Sequence, residues 1–350
     1  IMRRLLALCL CFALSVLSAC GGSKSGEELF MYIWAEYIPD SVFKQFEDET
    51  GIKIRVSTFD NLDDMFAKIK ITDGGEGYDL VMPSIEYASL LKNQGYLQKL
   101  DKRLLPNFKN MDPNYVNLPF DKGNEYTVPF TVGTSTFAVN SKKVDPEKLK
   151  KLEDLSRPEY KKRLLLLNDI RAVMGIGLRM NGHSINDRNK EHIKQAYETL
   201  KEKILPNVKG FDTEAAAQAL LNGEVDIAMT WNGLVYAAMQ ENPDIVEVRM
   251  NDGMNFWMDS FALLKKSKNV VNAHKFLDFI MRPDVSAKIT SEYQYSSPNA
   301  AARKLLPEKV RNNKTLYPDK SDVQKGEFEN DIGDALPVYE KYWTKIKTGS

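Results

Sequence analysis

Cysteine is nearly missing from this 350-residue chain: Cys9, Cys11 and Cys20 are its only three. Beyond Cys20 no internal disulfide can form, so the domain that follows relies on a hydrophobic core, which a chain of this size can build. An excess of charge of one sign is missing too. Lys plus Arg and Asp plus Glu each number 48, a balance that argues against a nucleic-acid binder, which would show a basic stripe or high pI. The apolar run Leu5–Leu17 is, at about 13 residues, too short for the ~20 that span a bilayer. Gly-x-Ser-x-Gly, His-Glu-x-x-His, Cys-x-x-Cys and phosphate-binding glycine patterns are absent, as are internal repeats and low-complexity segments. The three histidines, His183, His192 and His274, stand in polar or helical settings without partners at metal-ligand spacing. Neither a metal site, a cofactor nor an enzyme is expected.

What is present begins with an export signal. Arg3 and Arg4 precede the short apolar run, and small residues follow in Leu17-Ser18-Ala19-Cys20. That order resembles the bacterial lipobox. The resemblance implies cleavage after residue 19, a lipid on Cys20 and a polar tether over residues 20–28. The rest is ordinary globular composition, 43% hydrophobic and 27% charged, and its length suits about two domains at ~100–200 residues each.

Periodicity lays out those domains. Leu29–Trp34 reads as a strand. Val42, Phe43 and Phe46 stripe a helix capped by Asp40 and stopped by Gly51. Ile52, Ile54 and Val56 alternate as a strand, and Asn61 opens a helix with Leu62, Met65, Phe66 and Ile69 on one face. Tyr78–Ser84 predicts a buried strand ending at a Pro-Ser bend, followed by a helix around Glu86–Lys92. This alternation predicts an α/β arrangement with parallel strands. Val128–Asn140 has no helical period and carries a central Gly133, which predicts a strand that leaves one sheet for another. Leu164–Leu167, ending at Asn168-Asp169, and Val225–Thr230, delivering Trp231, are strands of a second lobe, with a charged connector over Lys148–Arg163 before them. Phe256–Leu264 is a candidate return crossing. The expected fold is α/β, two lobes joined by at least two crossing strands, lobe 1 from 29–132 plus 256–304 and lobe 2 from 133–255 plus 305–350.

Two stretches carry chemistry. In Phe256-Trp257-Met258-Asp259-Ser260, strand alternation puts Trp257 and Asp259 on one face. Ile33-Trp34-Ala35-Glu36-Tyr37 repeats the device with Trp34 and Glu36. A π-face beside a carboxylate suits an organic ammonium ion. Ligands of open α/β sheets sit beyond the carboxyl ends of strands, and those ends collect Trp34, Glu36, Tyr37, Ser84, Glu86, Asp169, Trp231, Trp257 and Asp259. Arg171 is the one nearby base and is expected to brace a carboxylate. Such a pocket wants a cation with an apolar body.

Several stretches together resemble the polyamine-binding periplasmic proteins, the spermidine/putrescine receptors of ABC transporters. They are Tyr32–Pro39, Tyr78–Ser84, Trp231-Asn232-Gly233, Phe256–Ser260, Ser297–Arg303 and Lys314–Pro318, in order along nearly the whole chain beyond residue 29. The resemblance implies a type II periplasmic binding protein fold and a box of rings from Trp34, Tyr37, Trp231, Trp257 and Tyr295. Asp169, Asp259 and Glu36 would take the amines, and Ser84 would form a polar wall. The implied partners are a polyamine, an inner-membrane permease and, through Cys20, the membrane; the implied state is a monomer in the periplasm. Four positions depart from the spermidine-type pattern: Ala35 replaces Thr, Glu86 replaces Tyr, Ala172 replaces an acid and Glu329 replaces Gln. These are expected to redraw the spacing between amine sites. The alternatives are a receptor for another small cationic solute and a surface lipoprotein with an interaction role.

Overall fold

The computed structural model describes residues 27–349 except Glu36, Asp60, Glu214 and Gln294. The signal sequence, Cys20 and most of the tether therefore lie outside the described residues. Among the described residues, no helix is long and apolar enough to cross a membrane.

The described strands are β1 (Glu28–Trp34), β2 (Lys53–Phe59), β3 (Leu80–Val81), β4 (Thr127–Asn140), β5 (Leu164–Leu166), β6 (Val208–Phe211), β7 (Ile227–Trp231), β8 (Ile245–Val248), β9 (Asn255–Leu263) and β10 (Glu327–Phe328). They join into one curled sheet in the order β2-β1-β3-β9-β4-β7-β5-β6, with β10 on β9 and β8 on β4. At either end the strands run parallel: β1 with β2 and β3, β5 with β6 and β7. In the middle β4 and β9 are antiparallel.

Each end is covered by helices on both faces, because successive strand residues point to opposite sides. Leu29, Met31 and Ile33 of β1 join a core with Val42, Phe46 and Phe276. The intervening Tyr32 joins Met65, Ile69 and Leu91 on the other face. At the far end Leu164 and Leu166 pack with Val173, Leu200 and Tyr339, while Leu165 meets Ala219 and Val235. Trp343 packs on this second core, edge-on to Phe211 at 5.3 Å.

The long strands connect the two lobes. Thr127–Pro129 and Thr131–Ser135 of β4 pair with β9, with a register shift between Pro129 and Thr131. Beyond that, Ser135–Val139 pair with β7 and Phe137–Asn140 with β8. One strand thus serves both lobes, as its unbroken β character led us to expect. A third segment meets the same place: the Val132 N–H donates to the Ser296 carbonyl at 3.0 Å.

Several local expectations are corrected. Tyr78–Ser84 contributes a ladder of only two residues, Leu80 and Val81, because Pro83 lacks the N–H that would extend it. Asp40 is the first helical residue and Pro39 the cap, with no side-chain capping bond. The charged Lys148–Arg163 connector needs no correction: it is helical in part, in short 3₁₀ turns such as Leu152–Ser156 and Pro158–Tyr160, the second restarting at Pro158. Val56 lies 42% exposed, since β2 is an edge strand.

Candidate functional site

Ring stacking and one buried acid build the first part of the site. β1 ends at Trp34, and the chain turns to bring Tyr37 alongside it, with ring centroids 6.1 Å apart and planes 26° apart. Tyr295, from the loop after helix Pro283–Tyr293, lies 5.3 Å from Tyr37, and Phe130 of β4 lies 6.4 Å from it. The Tyr37 hydroxyl donates to Asp259 Oδ2 at 2.9 Å. Asp259 is only 6% exposed, and burial pushes its carboxyl up to about 7, partly countered by that hydrogen bond. Burial and the facing carboxylate hold the Tyr37 phenol well above its usual range. Ser84 bridges Asp259 through the backbone, so helix Ile85–Asn93 starts beside the acid.

Two rows along β9, Trp257 and Trp231 meet edge to face at 6.4 Å. Trp257 is seated on a glycine. A Cβ on Gly133, its partner across the ladder, would stand 2.2 Å from the indole Cζ2 and 2.7 Å from Asn232 Oδ1. Gly133 was expected to let the strand change sheets; its observed role is to let a ring lie flat against backbone. Asn232, 3% exposed, locks this corner by accepting from the Thr134 N–H at 3.1 Å and donating to the Thr315 carbonyl at 2.9 Å. The indole N–H groups of Trp34 and Trp257 are buried and find no acceptor among the described residues.

A second group of acids gathers around Arg171. Its Nη1 lies 3.2 Å from Glu86 Oε2 and donates to the Asn330 carbonyl at 2.9 Å, while Nη2 donates to Asn186 Oδ1 at 2.7 Å. The guanidinium thus braces Glu86, as expected of it, while its buried Nε–H finds no acceptor among the described residues. Desolvation raises Glu86 to about 7 despite Arg171, with Asp331 and Asp169 adding to the rise. Glu329, just past β10, is pushed up to about 8 by desolvation and then by Asp169, with Arg171 opposing. Asp169 also caps helix Ile170–Met180, its Oδ1 accepting from the Ala172 N–H at 2.8 Å. A cation placed among desolvated carboxyls relieves both their repulsion and their desolvation, so such a space favours cation binding.

The structure therefore places Trp34, Tyr37, Tyr295 and Asp259 in one group, Trp231 and Trp257 in a second, and Glu86, Asp169 and Glu329 in a third. Alternation along β9 ties Trp257 to the face of Asp259. Glu36 lies outside the described residues. Ala172 is 1% exposed within the second core, so an acid there has no solvent to enter. Phe130, Asn232 and the seating role of Gly133 were missed. Phe130 reads as one apolar residue among many in β4, and only three-dimensional packing reveals its neighbour. One expectation about histidine is overturned: His183 and His192 stack at 3.8 Å with Asp187 beside them, because the loop between two helices folds His183 and Asp187 against the first turn of helix Lys190–Thr199.

Residues 41–318 match the family described as bacterial extracellular solute-binding protein. The chain is 41% identical over 337 residues to a spermidine/putrescine-binding periplasmic protein of Salmonella typhimurium, covering 96% of each. It is 42% identical over 321 residues to the protein of the same description from Escherichia coli K12, covering 92% of each. The crystal structure of the spermidine/putrescine ABC transporter substrate-binding protein PotD from Streptococcus pneumoniae superposes with a TM-score of 0.83 at 29% identity, covering 92% of this chain and 99% of that one. These similarities run through both lobes and the strands between them, and the chain belongs to the bacterial extracellular solute-binding proteins, in the family that includes the spermidine/putrescine-binding periplasmic proteins.

Proposed function

We propose that this protein is an extracytoplasmic receptor, not an enzyme, that binds a polyamine in its aromatic and acidic cleft and delivers it to an ABC permease. The observation that carries the reading is the Trp34–Tyr37–Tyr295 ring group closing on the buried carboxylate of Asp259. Rings can enclose a methylene chain and face its ammonium group, while the carboxylate supplies the charge. Asp259, with Glu36 as a further acid, takes one ammonium; Glu86, Asp169 and Glu329 take the other end. Trp231 and Trp257 hold the chain between them, with Ser84 as a polar wall. The lobes divide as 29–132 plus 256–304 and 133–255 plus 305–350, which sets Glu86 and Arg171 on opposite lobes. The Leu17-Ser18-Ala19-Cys20 order supports a lipid anchor on Cys20 of a monomeric receptor.

Calorimetric titration of the delipidated protein with putrescine, cadaverine, spermidine and spermine tests the reading. One site per chain, with at least one amine binding in the micromolar range or tighter, is expected. Heats indistinguishable from dilution for all four would refute it.

A further inference from the structure

Helix Ile170–Met180 ends in a tight turn that presents His183, and the chain returns through Asp187 to His192 in the first turn of helix Lys190–Thr199. The two imidazoles lie face to face, 3.8 Å apart and 7° from parallel. His192 Nδ1 is 2.9 Å from Asp187 Oδ2. Nitrogen and oxygen atoms of the three side chains all fall within 4.8 Å of one another, and each residue is half-buried, reachable from solvent. We propose that His183, Asp187 and His192 form a binding site for a divalent transition-metal ion of the zinc type.

Two imidazoles and one carboxylate are a donor set that suits zinc, nickel or copper rather than calcium or magnesium, which favour oxygen alone. Bonds of about 2.0–2.2 Å in a tetrahedral site place donor atoms roughly 3.4 Å apart. Bringing the observed spread to that distance requires rotation of the rings about χ2, a soft torsion for histidine. The carboxylate needs no such search. Its other oxygen, Oδ1, accepts from the Asn189 N–H at 2.7 Å, and the Asp187 carbonyl accepts from the Tyr339 hydroxyl at 2.7 Å. Asn186, one residue earlier, is bonded to the Asn330 N–H and the Phe328 carbonyl. The loop that carries the ligand is thus held by outer partners, which is the support a metal site requires. Gln195 stands three residues after His192 on the same helix face, with Oε1 3.4 Å from His183 Nε2, and offers a fourth donor. Two features oppose a cation here. The positive end of helix Lys190–Thr199 is close, but the Asp187 carboxylate faces it. Arg188 is the neighbour in sequence, but its guanidinium turns to the Asp331 carbonyl at 2.9 Å.

Protein carrying no histidine tag, titrated with Zn²⁺ by calorimetry and with Co²⁺ by visible absorption, tests this. The expected result is one ion per chain and the intense visible bands of tetrahedral Co²⁺. Both should be lost in His183→Ala and in His192→Asn, and Asp187→Asn, which removes the anionic ligand, should weaken affinity by more than the roughly 10-fold minimum seen for outer partners. Thermal unfolding without metal checks that each variant is folded. Should His192→Asn fail to fold, protection of the wild-type imidazoles from diethylpyrocarbonate by Zn²⁺ reads the same site. Absence of saturable binding, or binding unchanged in His183→Ala, overturns the proposal and leaves an ordinary stacked histidine pair.

Discussion

Asp259 is the residue on which the cleft depends most. Its carboxyl is buried and accepts from the neutral Tyr37 hydroxyl, so an ammonium ion is the charge that would complete it. Leaving one partner of a desolvated pair unmatched costs ~3–5 kcal/mol. Asp259→Asn is therefore expected to weaken polyamine binding by two orders of magnitude or more, while Lys44→Ala, on an exposed helix face, changes nothing measurable by calorimetry. Equal effects would remove Asp259 from the site. Gly133 makes a second prediction. A methyl there collides with the Trp257 ring, so Gly133→Ala should displace the indole and lower affinity. Removing the ring with Trp257→Leu should cost roughly 0.5–2 kcal/mol of cation–π attraction, with the melting temperature nearly kept because Trp257 is half-exposed. A collapse in melting temperature would instead make Trp257 a core residue.

At the scale of elements, what was legible depended on how local the cause was. β4, β9 and the helices Leu62–Ile71 and Ile85–Asn93 appear close to where periodicity puts them, because each buries a pattern written in its own residues. The shared face of Trp257 and Asp259 was legible for the same reason: strand alternation decides it. Pairing partners were not. The bonding of β9 between β3 and β4, the seating of Trp257 on Gly133 and the stacking of Phe130 on Tyr37 depend on residues over a hundred positions apart or on neighbours that alternation cannot rank. Helix Ile85–Asn93 and helix Ile170–Met180 face each other through Glu86 and Arg171, and with Glu329 they are the far end of the box we propose. Replacing Glu86 and Glu329 by glutamine leaves Arg171 less compensated and removes acid from that end only. The double variant is expected to shift the ratio of putrescine to spermidine affinity by tenfold or more, while Asp259 still anchors one amine. Titration with both amines decides it: an unchanged ratio means these acids do not measure ligand length.

The whole molecule should feel its ligand through pH. Asp259 and Glu86 sit at about 7 and Glu329 at about 8, against roughly 3.9–4.3 in an unfolded chain. A carboxyl raised on folding holds its proton longer in the native state, so its contribution favours folding at low pH and is lost as pH rises from about 4 through 8. A polyamine, still protonated at pH 8, makes the ionised forms favourable again. The rise in melting temperature on adding saturating putrescine should therefore be larger at pH 8 than at pH 6, and equal shifts would show that these carboxyls do not meet the ligand. Small-angle scattering should also report a smaller radius of gyration with ligand, since on the lobe division proposed above rings and acids come from both lobes. The position of β9 has a further consequence. It is among the last strands to be made, yet it lies in the middle of the sheet, hydrogen-bonded to β3 on one side and β4 on the other. Until its residues follow, β3 has no neighbour on that side and neither long strand has its partner. A nascent chain of this topology stays open until its final third has been synthesised, which is the state a secretion channel needs in order to thread it.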